Sequence, residues 1–153
     1  MDYIKIQQNI IKDILNGKLS KYKIGHWNEK IAVLVDGVAV VLIPKPMYLL
    51  DTERILDETH EMLVGESLFK SLNNYFNVSD LLENAGELFM KAGDKKPLVV
   101  FRNAKNEKIY VSTALLDIFK TTEDVKYYGT TPKTPVFICT ERGIAGVVLP
   151  VKI

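Results

Sequence analysis

With one cysteine and two histidines in 153 residues, several common chemistries have few groups to work with. Cys139 has no partner for an internal disulfide, so no oxidising compartment is implied. His26 and His60 lie far apart, and no second histidine follows His60-Glu61 at the spacing that puts two imidazoles on one helix face. No glycine-rich segment stands between a strand and a helix, where backbone amides would cradle phosphate; Gly143 and Gly146 fall in a turn and a strand. The acidic run Asp51, Glu53, Asp57, Glu58 and Glu61 lacks calcium-loop spacing and reads as a solvated helix face. The longest apolar stretch, residues 31–43, is broken by Asp36-Gly37 and is too short to span a bilayer. The first residues carry an early acid and lack the apolar core of a signal peptide. These absences lead us to expect a cytoplasmic protein that is not an enzyme and uses no cofactor, metal or membrane.

What is present supports a folded domain. Apolar residues make up 47% of the chain, too many for disorder, and a chain of this length buries roughly 70% of its unfolded surface. Charge is unevenly spread. Residues 1–50 hold seven lysines against four acids, residues 51–94 three bases against ten acids, and residues 95–153 ten bases against five acids. An acidic middle between basic flanks suits different partners on different faces.

The first element reads as an amphipathic helix, with Tyr3, Ile6, Ile10 and Ile14 as its apolar stripe and Ile4, Ile11 and Leu15 widening it. Gly17 is placed to end it. Three strands follow, at residues 21–27, 30–35 and 38–43. Asp36-Gly37 is a hairpin signal, because a type I′ turn needs positive φ at both central residues. The last two strands are apolar throughout, which predicts cover on both faces; Pro44-Lys45-Pro46 then stops the ladder. Trp27 reads as an apolar plug for one sheet edge. The middle predicts three helices, at residues 52–64, 67–76 and 79–92, the last capped by Ser79 with Asp80 in its first turn. Beyond it a hairpin spans residues 97–111. A short helix capped by Ser112 or Thr113 runs to Lys120, and three strands occupy residues 125–130, 135–140 and 144–151.

The order helix, strand, strand, strand thus occurs twice, and the residues echo. Gly37-Val38-Ala39-Val40-Val41-Leu42-Ile43-Pro44 matches Gly143-Ile144-Ala145-Gly146-Val147-Val148-Leu149-Pro150 at four of eight positions, with three aliphatic exchanges. The same register sets Tyr22 on Tyr128. With a two-residue gap, Lys12-Asp13-Ile14-Leu15 lies on Leu116-Asp117-Ile118-Phe119. Neither half can bury its helix and sheet face alone. The expectation is therefore an α+β domain with pseudo-two-fold symmetry, its sheets joined edge to edge and its helices together. Half one is residues 1–50, a helical acidic insertion is residues 51–94, and half two is residues 95–153.

Tyr110-Val111-Ser112-Thr113-Ala114-Leu115-Leu116-Asp117-Ile118-Phe119-Lys120, Thr134-Pro135-Val136-Phe137-Ile138 and Val147-Val148-Leu149-Pro150-Val151-Lys152-Ile153 resemble the end of the bacterial DNA sliding clamp, the DNA polymerase III beta subunit. That family carries a Y-L-L-D-x-L helix, an S-P-V-x-I strand and a terminal V-M-P-V-R-L strand, and its domains are duplicated. The likeness covers about fifty residues directly, and the first fifty through the repeat. Three features depart from it: one domain instead of several, no strand before the first helix, and the insertion at residues 51–94.

The resemblance implies a DNA-clamp-like fold and a clamp-like role in replication or DNA processing, in a phage or mobile element. Contact with double-stranded DNA would be non-specific, through Lys5, Lys12 and Lys120. A groove for peptides of replication proteins would involve Tyr128, Pro132, Leu149 and Pro150, with Tyr127, Pro135 and Val147 near it. Encirclement would require a homo-oligomer. The alternative from a different class is a protein–protein interaction or regulatory module whose acidic insert meets a basic partner.

Overall fold

The computed structural model describes residues 2–50, 66–90, 92–93, 95–120 and 124–153. Helix α1 is Tyr3–Leu15. The Asp2 carboxylate caps it, accepting the Lys5 backbone N–H at 3.0 Å. Gly17 ends it as expected: the N–H groups of Gly17 and Lys18 return to the carbonyls of Ile14 and Asp13. Tyr3, Ile6, Ile10 and Ile14 enter the core, whereas Ile4, Ile11 and Leu15 remain in solvent. Gln7 takes the place between them. It is buried, and its amide donates to the Tyr3 and Met47 carbonyls while its oxygen accepts the Leu49 N–H. A polar side chain with three satisfied bonds thereby ties α1 to the segment after the first sheet unit.

Strands β1 (Tyr22–Trp27), β2 (Lys30–Val35) and β3 (Ala39–Pro44) form consecutive antiparallel hairpins. Asp36 and Gly37 both take positive φ (53° and 68°), and the Val38 N–H closes the turn on the Val35 carbonyl. Val38 is an extra residue in that loop, so pairing resumes with Val35 opposite Ala39.

Helix α2 is Glu66–Asn77, close to the expected middle helix. The helix expected at residues 52–64 lies outside the described residues. The helix expected at residues 79–92 is not formed. Its place is taken by β4 (Asp80–Leu81) and β5 (Glu83–Phe89). Ser79 does not cap forwards; its hydroxyl and N–H both donate to the Phe76 carbonyl, closing α2 behind it. Two neighbouring strands would otherwise leave ladder groups unpaired, and β4 and β5 satisfy one each. The described part of the insertion is therefore one helix and two strands.

Strands β6 (Leu98–Arg102) and β7 (Lys108–Ser112) complete a three-stranded sheet ordered β5-β6-β7. The short helix α3 is Thr113–Asp117, continued to Lys120 by tight turns. Ser112 makes no capping bond, and the Thr113 hydroxyl donates to the Pro97 carbonyl. Strands β8 (Lys126–Gly129), β9 (Val136–Thr140) and β10 (Gly143–Val148) return to the larger sheet. That sheet has seven strands in the order β1-β2-β3-β10-β9-β8-β4, and all its pairings are antiparallel. The fold class is α+β.

Both faces of the large sheet are covered, as the apolar runs predict. On one face Val33, Val41, Ile43, Val136, Ile138 and Val148 form a core with α1, α3 and the small sheet. On the other, Ala32, Val40, Leu42, Phe137 and Val147 meet Phe69 and Leu72 of α2. Trp27 sits on the outermost strand, stacks on Phe69 at 5.7 Å and donates its indole N–H to Asn73 at 3.0 Å. It anchors α2 more than it plugs an edge.

The central contact is β3 against β10, where Val41 pairs with Gly146 and Val40 with Val147. Gly146 has no room for a side chain: a Cβ there would enter the Phe119 ring and come within 2.5 Å of the Val40 carbonyl oxygen. Gly146→Ala is expected to lower stability by about 2–3 kcal/mol in urea unfolding, as overpacking of a tight core does. Gly37→Ala, which meets open space and suffers only from positive φ, should cost about 1 kcal/mol.

Candidate functional site

Helices α1 and α3 lie on the same face of the large sheet, and a cleft of about 370 Å³ opens between them. Ile6, Ile10 and Ile118 from the helices and Val35 and Val41 from the sheet supply its apolar surface. Charged groups line it too: Asp2, Asp13 and Asp117 against Lys5, Lys21 and Lys120. The inward flank of α1 supplies residues 2, 6, 9 and 13, which helical spacing brings onto one side.

The carboxylates are engaged. Asp13 accepts the Tyr22 hydroxyl and the Lys21 ammonium, the latter at 3.4 Å. The Tyr22 hydrogen bond, helped by Lys21 and Lys18, holds the Asp13 carboxyl below its ordinary value of 3.8. Burial, with the neighbouring Asp13, pushes the Tyr22 phenol well above its ordinary range, so the phenol remains a donor at every physiological pH. Asp117 accepts from Lys96 and forms an ion pair with Lys120, both at 3.5 Å.

Of the lysines read as DNA contacts, the structure brings Lys5 and Lys120 to the cleft from different helices. Lys12 is exposed on α1 and does not border it. The four residues read as a peptide groove are not gathered into one. Leu149 borders an apolar hollow of about 90 Å³ with Val38, Leu68, Leu72 and Val147, between α2 and the β3–β10 end of the sheet. Tyr128 packs edge-on against Phe76 at 6.0 Å, and Pro132 and Pro150 are half-buried away from the hollow.

Other reactive groups have structural settings. The half-buried Cys139 thiol is pushed up to about 11 by burial, against the opposing effect of Lys30, which leaves it protonated at neutral pH and a weak nucleophile. His26 is exposed on β1. Among the described residues no three His, Cys, Asp or Glu side chains gather as metal ligands, and no helix is long and apolar enough to cross a membrane. His60 and the acidic run at residues 51–61 lie outside the described residues.

Sequence reasoning missed Tyr22, Lys21 and Asn9 as cleft residues. The available signal was the alignment of Asp13 with Asp117, which places one carboxylate from each helix beside the same space. Comparison of the chain with protein-family models, curated proteins and solved structures gives no match.

The Asp13–Tyr22 bond carries a pH signature. A carboxyl held low in the folded state contributes stability above its unfolded value, and loses it as pH falls through the lowered one. Tyr22→Phe should therefore cost about 1–2 kcal/mol at pH 7, at the low end for a bond to a charged acceptor because Asp13 is partly exposed. In urea unfolding the gap between wild type and variant should narrow progressively below about pH 4.

Proposed function

We propose that the chain is a sliding-clamp-like protein of DNA replication or processing, holding the duplex backbone without sequence preference on the face that carries α1 and α3. The sheet order supports this reading most. From either edge of the six strands β1-β2-β3-β10-β9-β8, three antiparallel strands lead inward to the central β3–β10 pair. A helix from each half packs on the same side. The central register agrees: adding 106 to Val40 and Val41 of β3 gives Gly146 and Val147 of β10, which are their cross-paired partners. That is the offset at which Gly37 to Pro44 repeats as Gly143 to Pro150.

The likeness weakens away from the centre. Tyr22 stands opposite Val35 and Tyr128 opposite Phe137, so the outer strands do not keep the same offset. Helix α1 has 13 residues and α3 has 5. One domain of this size does not surround a duplex, so encirclement would require several. Lys5, Lys12 and Lys120 would meet phosphates by releasing counterions.

A second reading, an interaction module for a basic protein partner, draws on the segment between the halves. Its described part exposes Val78, Leu81, Leu88 and Met90 among the acids Asp80, Glu83 and Glu87. Glu87 already pairs with Arg102 and Lys108, which leaves Asp80 and Glu83 for such a partner.

Fluorescence anisotropy with a 30-base-pair duplex tests the first reading. Binding is expected at about 20 mM salt, independent of sequence, and falling steeply as salt rises. Lys5→Gln and Lys120→Gln should each lower the salt slope by about 1. No binding at about 20 mM salt would exclude the DNA reading and leave the interaction module.

A further inference from the structure

We propose that the cleft between α1 and α3 binds a small amphipathic anion: a carboxylate, sulfonate or phosphate monoester carried on an apolar body. This inference does not require the DNA reading: it concerns the interior of the cleft, and of the DNA contacts it shares Lys5.

The volume of about 370 Å³ falls within the roughly 300–1,000 Å³ of small-molecule sites. Ile6, Ile10, Val35, Val41 and Ile118 offer an aliphatic floor that would shed water against an apolar body. The polar groups decide the sign of the ligand. Asp13 is held by Tyr22 and Lys21, Asp117 by Lys96 and Lys120, and Asp2 accepts the Lys5 backbone N–H. The Lys5 ammonium and the Asn9 amide line the same cleft and have no side-chain partner among the described residues. A cationic donor, the Lys5 ammonium, and the amide of Asn9, which can donate as well as accept, thus stand one helical turn apart on α1. An anionic head against Lys5 and Asn9, with its body over the isoleucines and valines, satisfies both sets of groups at once. A cationic head would find Asp13 and Asp117 already paired with lysines, and only Asp2, the cap at the end of α1, without a cationic partner.

Two probes of matched shape test this: 8-anilinonaphthalene-1-sulfonate, an anion, and uncharged N-phenyl-1-naphthylamine. The folded protein should bind the sulfonate saturably at one site, and at least about tenfold more tightly than the neutral probe. Lys5→Gln should weaken the sulfonate about tenfold, while Lys105→Gln, in the β6–β7 turn and not lining the cleft, should leave it unchanged. Asn9→Trp, which fills the mouth of the cleft without removing a charge, should abolish binding. Thermal melting establishes that the variants are folded, and the exposed Lys5→Gln carries the test if Asn9→Trp is not. Displacement of the sulfonate by decanoate indicates an aliphatic carboxylate as the natural class, and displacement by phenyl phosphate an aromatic phosphate ester. Equal binding of the neutral probe, retained binding by a folded Asn9→Trp, equal losses in Lys5→Gln and Lys105→Gln, or displacement by neither competitor would overturn the proposal. Because Asn9→Trp keeps Lys5 and Lys120, duplex binding should survive in it, so failure of this site and failure of the DNA reading are separable.

Discussion

The structure depends on the pairing of β3 with β10. The two strands lie far apart in the chain, and each is buried on both faces over its paired length. An apolar strand buried on two faces cannot serve as a sheet edge, because its ladder groups would face an apolar surround without partners. Each unit of three strands therefore needs the other to close its inner edge. The cost is entropic: most of the chain must be looped out before this ladder forms. The gain is one continuous sheet with a core on each side. Phe119 reinforces the joint, since its ring rests where a side chain at Gly146 would otherwise stand, directly beside the β3 backbone.

That joint also creates the cleft. Helices α1 and α3 lie on the same side of the sheet and face one another over the inner strands. The space between them is floored in part by Val35 and Val41. The charges around it balance in number but not in availability, since the carboxylates are largely consumed by Tyr22 and lysines. The fold thereby presents donors to whatever approaches this face. The proposed duplex contact and the proposed small-anion site would both draw on the lysines of this face.

Much of the architecture was legible in the residues because local signals agreed with tertiary demand. Asp36-Gly37 specified a turn with positive φ, and the apolar runs of β2 and β3 specified cover on both faces. The failures occurred where long-range pairing outweighed local pattern. Residues 79–89 carry leucines at spacings compatible with a helix, but β6 and β8 needed strand partners. Ile4, Ile11 and Leu15 looked like part of a broad apolar stripe, yet the core took Gln7 instead, because the segment at Met47 and Leu49 supplied backbone partners for its amide. The site was less legible than the fold. Lys5 and Lys120 were singled out through the clamp resemblance, but nothing local to Tyr22 or Asn9 indicates that they share a cleft.

Native-state hydrogen exchange of the β3 and β10 amides addresses the joint most directly. If each half depends on the other, the Val41 and Val147 amides should exchange only through global unfolding, with equal free energies matching that from denaturant. Exchange of either strand through a cheaper partial opening, with the other still protected, would show that the halves stand independently and would contradict the account.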